Sequence, residues 1–293
     1  IVGKYKVGYN ARSVNVSSLG TEPANWCCLM SASRKNFKAE IAELSNLRGE
    51  IRSKTIFKAE NNSSLPHIRI NWNADHIMFT MANANGLWQV YEVDIEGKNL
   101  RQVIKSTEPD LEFFDATYLP NGKIIAVSNI GYLGVPCVDG SDIVGNMVLY
   151  DQQTGNLRRI TFDQESNWGP IVMNNGRVMY TRWEYTDLTH YFSRIVMHMN
   201  PDGTEQKALY GSGSYFPNST FDIKPLPGNG TRFVGIISGH HGVVRAGRML
   251  LFDPSVSRKN ADGIVHEFPY RNRKVVPIIK DELVDGVWPQ FVK

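Results

Sequence analysis

The side chains able to do chemistry in this 293-residue sequence gather in short stretches between residues 128 and 248. The densest is "SGHHGVVRAGR" (238–248), where adjacent imidazoles His240 and His241 are followed by Arg245 and Arg248. Upstream, "RWEYTDLTHYFSR" (182–194) supplies Glu184, Asp187 and His190, and "TFDQESNW" (161–168) supplies Asp163 and Glu165. "YGSGSYF" (210–216) adds Tyr215, and "SNIGYLGVPCVDGSDIVGN" (128–146) adds Cys137 with Asp139 and Asp142. Imidazoles and carboxylates are the ligand types of a divalent cation, which needs three or four of them converging at close range. His240, His241 and His190, with Glu184 or Asp187, are the candidate metal set. The same imidazoles could act as a general base or bind an anion. Against both readings stands a plain one. Neighbours in an extended chain point to opposite sides, so one histidine can bond a loop carbonyl while the other meets water. Asp163 and Asp187 can equally cap turns through their own backbone. No sequence feature marks a partner that would activate Cys137 as a nucleophile. The reading without a resident cofactor is preferred, and a divalent metal stays open.

Those stretches lie between strand pairs that repeat. "FFDATYLPNGKIIAVS" (113–128), "WGPIVMNNGRVMYT" (168–181) and "YFPNSTFDIKPLPGNGTRFVGII" (215–237) share a layout: an aromatic, an alternating apolar run, Asn-Gly, and a second apolar run. Gly122, Gly176 and Gly230 stand 54 residues apart in both intervals. Asn-Gly between such runs signals a hairpin, in the two-residue form with positive φ at both positions. An earlier copy, "LPHIRINWNADHIMFTM" (65–81), carries Asn73-Ala74-Asp75 in the turn. A second Gly-turned hairpin follows each first one, as in "VYEVDIEGKNLRQVI" (90–104) and "MVLYDQQTGNLRRITF" (147–162). Each unit therefore holds four short strands, A to D. A four-stranded unit that cannot bury its faces alone and stacks on its neighbours is the signature of an all-β β-propeller. "FKAEIAELSNLRGEI" (37–51) reads either as a helix or as outer strands of a blade. The expected organisation is one propeller domain over 1–293, of about six blades. Residues 1–64 make a divergent first blade, 65–287 four regular blades, and 288–293 open a further one, within a longer protein. Trp72, Trp88, Trp168, Trp183 and Trp288 read as packing between blades.

The topology then positions the chemistry. A–B and C–D turns lie on one face, and these are short, so that face reads as plain. B–C and D–A connections lie on the other face, and they carry Cys137, Asp163, Glu184, Asp187, His190, Tyr215, His240, His241 and Arg245. Functional side chains favour loops on a rigid scaffold, and pockets form where loops converge.

Composition sets limits. With 32 basic and 29 acidic residues the formal charge is +3, which implies no nucleic-acid partner. No apolar run approaches the length of a membrane span. The three cysteines, Cys27, Cys28 and Cys137, form no C-x-x-C or C-x-x-C-H pattern and read as free buried thiols. No G-x-S-x-G, Walker, H-E-x-x-H or dinucleotide fingerprint occurs.

The segment from "GNLRRITFDQESNWGPIVMNNGRVMYTRWEYTDLTHYFSR" through "VGIISGHHGVVRAGRMLLFDP" resembles the propeller domain of the hydrazine synthase alpha subunit family, and more distantly TolB-like propellers. The resemblance covers 66–293 and is weak over 1–65. It implies an extracytoplasmic protein (periplasmic, cell-surface or secreted) and flanking domains. It does not imply hydrazine formation, because the family's chemistry resides on haems held by C-x-x-C-H motifs that this sequence lacks. The function expected is a non-catalytic binding or scaffold module, with other domains of the full chain, a protein or a glycan as partner on the B–C face. The alternative is a metal-dependent lyase or hydrolase acting on a polar, carbohydrate-like substrate at the propeller mouth.

Overall fold

A computed structural model of the chain describes residues 1–7, 34, 37–59, 62–136, 139–140, 142–183, 194–214, 216–217, 219–238, 246–270, 275 and 291–292. Among the described residues there is no helix. β1 (Val2–Val7), β2 (Phe37–Ser45) and β3 (Arg52–Lys58) form the first sheet. The second holds β4 (Arg69–Ile70), β5 (His76–Ala82), β6 (Trp88–Asp94) and β7 (Arg101–Gln102). The third holds β8 (Phe113–Tyr118), β9 (Ile124–Ser128), β10 (Asn146–Tyr150) and β11 (Leu157–Arg159). The fourth holds β12 (Asn167–Val172), β13 (Val178–Trp183), β14 (Arg194–Met199) and β15 (Lys207–Tyr210). β16 (Ser219–Pro225), β17 (Phe233–Ser238), β18 (Ala246–Phe252) and β19 (Ile264–Phe268) make a fifth unit, joined to the fourth by a parallel β14–β16 pairing into one sheet. Successive strands within each unit pair antiparallel, so each unit is one blade of a β-propeller. β20 (Phe291–Val292) pairs antiparallel with the start of β18. The segment over 37–51 is strand: Ile41, Ala42 and the other inward residues of β2 are buried, and a turn at 46–50 leads to β3.

The Asn-Gly hairpins close differently from the two-residue form. Gly122 N–H donates to the Leu119 carbonyl and Leu119 N–H to the Lys123 carbonyl, with φ +80° at Gly122 alone. This is a type I turn followed by one left-handed residue, and Pro120 suits its second position. Met173 to Arg177 repeat it, with Gly176 at φ +81°. In the fifth blade Gly228, not Gly230, takes positive φ, giving a longer loop entered through Pro227-Gly228. In the second blade Ala74 occupies the left-handed position at φ 58°.

The innermost strands share a second irregularity. His67, Asp115, Gly169 and Asp222 hold equivalent places four residues before the A–B turn, and all four have positive φ, between 46° and 68°. Register breaks between Phe114 and Thr117, Trp168 and Ile171, and Phe221 and Lys224 mark the same bulge. The strained conformation is compensated by bonds from blade to blade. Asp115 N–H donates to His67 Nδ1 at 3.2 Å, and Gly169 N–H donates to Asp115 Oδ2 at 2.6 Å.

The core lies between the sheets. Trp88, Phe114, Trp168, Tyr180 and Trp183 belong to one buried cluster that runs from blade 2 to Phe221 of blade 5, and Tyr210, Phe233 and Phe252 to a second across blades 4 and 5. Burying each large apolar side chain contributes roughly 1.5–3 kcal/mol, so stacking of blades rather than strand propensity stabilises the fold. Trp88, Trp168 and Trp183 pack as expected from the sequence. Trp72 does not: it stands 62% exposed at an A–B turn.

Candidate functional site

The D–A and B–C connections of the fourth blade meet at one end of the sheet. Asn167, first in β12, pairs with Arg182, and Trp183 N–H donates to the Ser166 carbonyl. The B–C connection 184–193 leaves after Trp183 and returns at Arg194, which pairs parallel with Ser219 at the start of the fifth blade. Asn167, Arg182, Arg194 and Ser219 are thereby fixed at or beside strand ends.

Of the residues singled out from the sequence, Asp163 is described. Its Oδ1 accepts Arg182 Nη2 at 2.7 Å, its Oδ2 accepts Asn167 Nδ2 at 2.8 Å, and its carbonyl accepts Asn146 Nδ2 at 3.2 Å. It ties the D–A connection to β10, β12 and β13. His240, His241, His190, Glu184, Asp187, Arg245, Tyr215 and Cys137 lie outside the described residues, as do Cys27, Cys28 and Trp288. Arg248 is buried on β18, where its Nε donates to Glu267 Oε1 at 2.9 Å. Among the described residues no three His, Cys, Asp or Glu side chains form a cluster able to hold a metal ion.

Two residues of the mouth carry more than their sequence positions suggested. Glu165 is 1% exposed, and neither carboxylate oxygen receives a hydrogen bond among the described residues. Burial pushes its carboxyl up to about 7, and the nearby Arg194 charge pulls the other way. Arg194 is fully buried, its guanidinium 4.8 Å from the Trp183 ring centroid and 5.8 Å from that of Phe221, with Nη1 donating to Ser219 Oγ at 3.3 Å. A weakly hydrated planar cation suits such a sandwich. The indole N–H of Trp168 and the Asn167 side-chain oxygen are also buried without a partner among the described residues. Buried polar atoms are normally satisfied, so this concentration of unmet donors and acceptors marks the mouth as a place where further polar groups belong. The signal in the sequence was "DQES" ahead of a strand, where a carboxylate precedes an apolar run, but nothing local revealed its burial.

The third blade has the same architecture with a different outcome. Glu112, 4% exposed, accepts Trp88 N–H at 2.7 Å and Arg34 Nη2 at 3.0 Å, and its own N–H donates to Asn129 Oδ1. Burial raises its pKa, while the Trp88 N–H and Arg34 oppose that rise.

No family model matches the chain, and no curated protein matches it. Solved structures do. Hydrazine synthase from Kuenenia stuttgartiensis superposes with a TM-score of 0.61 at 14% identity, over 86% of this chain and 37% of that one. A TolB structure from Agrobacterium tumefaciens gives 0.53 at 13% identity, over 78% of this chain and 76% of that one. An oligogalacturonate lyase in complex with manganese gives 0.51 at 12% identity, over 92% of this chain and 68% of that one. The chain thus spans little more than a third of the hydrazine synthase chain it matches. At these identities the likeness establishes the β-propeller fold. No helix among the described residues is long and apolar enough to cross a membrane.

Proposed function

We propose that this chain is a non-catalytic binding module whose D–A and B–C face, centred on blades 4 and 5, receives a polar ligand or partner. The reading is carried by Glu165, a buried carboxylate lacking any donor among the described residues, at the end of the fourth blade where the chain leaves for the segment that bears His190. A ligand or partner group that donates to Glu165 would meet that unmet demand. The module would work outside the cytoplasm, as a domain of a longer protein. Cell fractionation with an antibody against the chain tests that placement, and a cytoplasmic pool would overturn it.

A second reading has its own support. A carboxyl raised by burial to about 7 beside an arginine has the properties of a proton-transfer group. Together with the histidines of 184–193 and 239–245 it would serve a metal-assisted lyase or hydrolase, and an oligogalacturonate lyase that binds manganese shares the fold. Oligogalacturonates, with and without Mn2+, separate the two. The binding module gives a calorimetric isotherm without unsaturated product, and Glu165→Gln abolishes the isotherm. Product that disappears with a chelator and in the His240→Ala, His241→Ala double variant establishes the lyase reading instead. No isotherm with any acidic oligosaccharide, or one unchanged by Glu165→Gln, removes the mouth as the binding site.

A further inference from the structure

The opposite face, which the short turns led us to expect plain, carries a cleft of about 350 Å3 between blades 2 and 3. It is lined by Trp72, His76, Glu92, Arg101, Tyr118 and Gln152, with Asn73 at its rim. That volume falls at the lower end of small-ligand pockets, roughly 300–1,000 Å3.

Trp72 stands out from the equivalent residues of the other blades. It occupies the second position of the A–B turn, where the third and fifth blades have Pro120 and Pro227. Proline there pre-sets the turn, whereas tryptophan contributes nothing to turn geometry and leaves an indole 62% exposed. The wall facing it is rigid. Glu92, 4% exposed, accepts Arg101 Nε at 3.0 Å, Arg101 Nη2 at 2.7 Å and Tyr118 Oη at 2.6 Å. Arg101 Nη2 also donates to Gln152 Oε1 at 3.1 Å, and Gln152 Nε2 donates to the Gly122 carbonyl at 2.9 Å. This chain crosses from the second blade to the third and fixes each side chain before any ligand arrives, so little ordering entropy is lost on binding.

The groups left over define the ligand. Arg101 Nη1 makes no hydrogen bond among the described residues, and neither does the Asn73 side chain. His76 Nδ1 lies 2.7 Å from Asp75 Oδ1, and Nε2 makes no hydrogen bond among the described residues. Glu92 pairs with Arg101, and Asp75 is hydrogen-bonded to His76. The cleft therefore offers a flat apolar ring, planar hydrogen-bonding groups around it, and no cation without a carboxylate beside it. A pyranose ring has the matching chemistry: one face of C–H groups for the indole, and equatorial hydroxyls that both donate and accept. An anionic ligand would compete with Glu92 for the only cation described in the cleft lining, Arg101.

We propose that the cleft between blades 2 and 3 is a glycan-binding site that takes one neutral pyranose residue, stacked on Trp72 and held by Arg101, His76 and Asn73. The site is independent of the mouth on the other face. The test is an array of neutral and acidic glycans probed with the purified chain, followed by titration of the retained glycans and intrinsic fluorescence. Neutral hexose or N-acetylhexosamine ends are expected to bind and to perturb tryptophan emission. Trp72→Ala, a change at an exposed side chain, should weaken binding about tenfold or more, with Asn73→Ala and His76→Ala weakening it less. Glu165→Gln should leave it unchanged, which separates this site from the mouth. Retention of acidic glycans alone, no retention at all, or equal affinity in Trp72→Ala would overturn the proposal.

Discussion

Glu112 and Glu165 stand on the D–A connections of adjacent blades, each just ahead of an innermost strand, and each almost fully buried. The first is saturated: a backbone N–H of the preceding blade and an arginine donate to it. The second has a buried arginine for company but no hydrogen bond to either oxygen among the described residues. The same backbone plan thus yields one structural carboxylate and one kept in reserve. A buried ionisable group without its donors destabilises the fold, so the difference separates a residue retained for architecture from one retained for something else.

Four measurements test that contrast. The largest effect is expected at the saturated glutamate. Glu112→Ala removes the carboxylate that accepts from the buried Trp88 N–H and from Arg34, costing about 3 kcal/mol in chemical denaturation. A loss below the error of the measurement would show that the pair is dispensable. Next comes the pH profile. The Glu165 carboxyl shifts from 4.5 when unfolded to about 7 when folded, so the folded state holds the proton more tightly. Its contribution to stability is complete below pH 4.5 and is lost as pH rises through about 7. The loss amounts to roughly 2–3 kcal/mol, and Glu165→Gln should remove that slope. A variant with the wild-type profile would show that other groups set it. Third, Glu165→Met should stabilise the protein by about 1–2 kcal/mol at pH 8 while abolishing binding at the mouth. A loss of stability instead would place Glu165 in the same structural class as Glu112. The smallest effect is expected at Asp163→Asn. Arg182 keeps part of its environment and the pair is partly exposed, so melting should report about 1 kcal/mol or less.

Much of the fold was legible from sequence because it rests on local chemistry. The Asn-Gly punctuation at Gly122 and Gly176 fixed hairpins, and the alternation around them fixed which faces turn inward. Even there the turn type was misjudged, since Pro120 at the second position favours a type I turn with one left-handed glycine. The segment 37–51 was ambiguous because its apolar spacing fits both a helix and the β2–β3 hairpin, and only packing against the second blade decides. The site was less legible. What distinguishes Glu112 from Glu165 is a donor from residue 88 and an arginine at residue 34, contacts that span more than twenty and more than seventy positions. Trp72 was misassigned for a related reason. An indole looks like packing material until the turn that holds it is seen to face water, and the Glu92–Arg101–Gln152 wall opposite it is assembled from three separate strand ends and turns.

The row of left-handed residues lining the inner strands has a mechanical consequence. Each link hands the next blade's N–H to the side chain before it, from His67 to Asp115 to Gly169. The relay is directional, and glycine has no side chain with which to pass it on. Past that point the fourth and fifth blades are joined at the mouth through Arg194 and Ser219. Blades 2 to 4 are accordingly clasped at the hub by this relay, whereas the fifth is held to the fourth by the cluster of Tyr210, Phe233 and Phe252 and by Asn174, whose side chain donates to the Leu226 and Asn229 carbonyls, so the fifth should open first. Hydrogen exchange that releases β16 to β19 ahead of β5 to β14 would reveal that seam, and it runs directly beside Glu165.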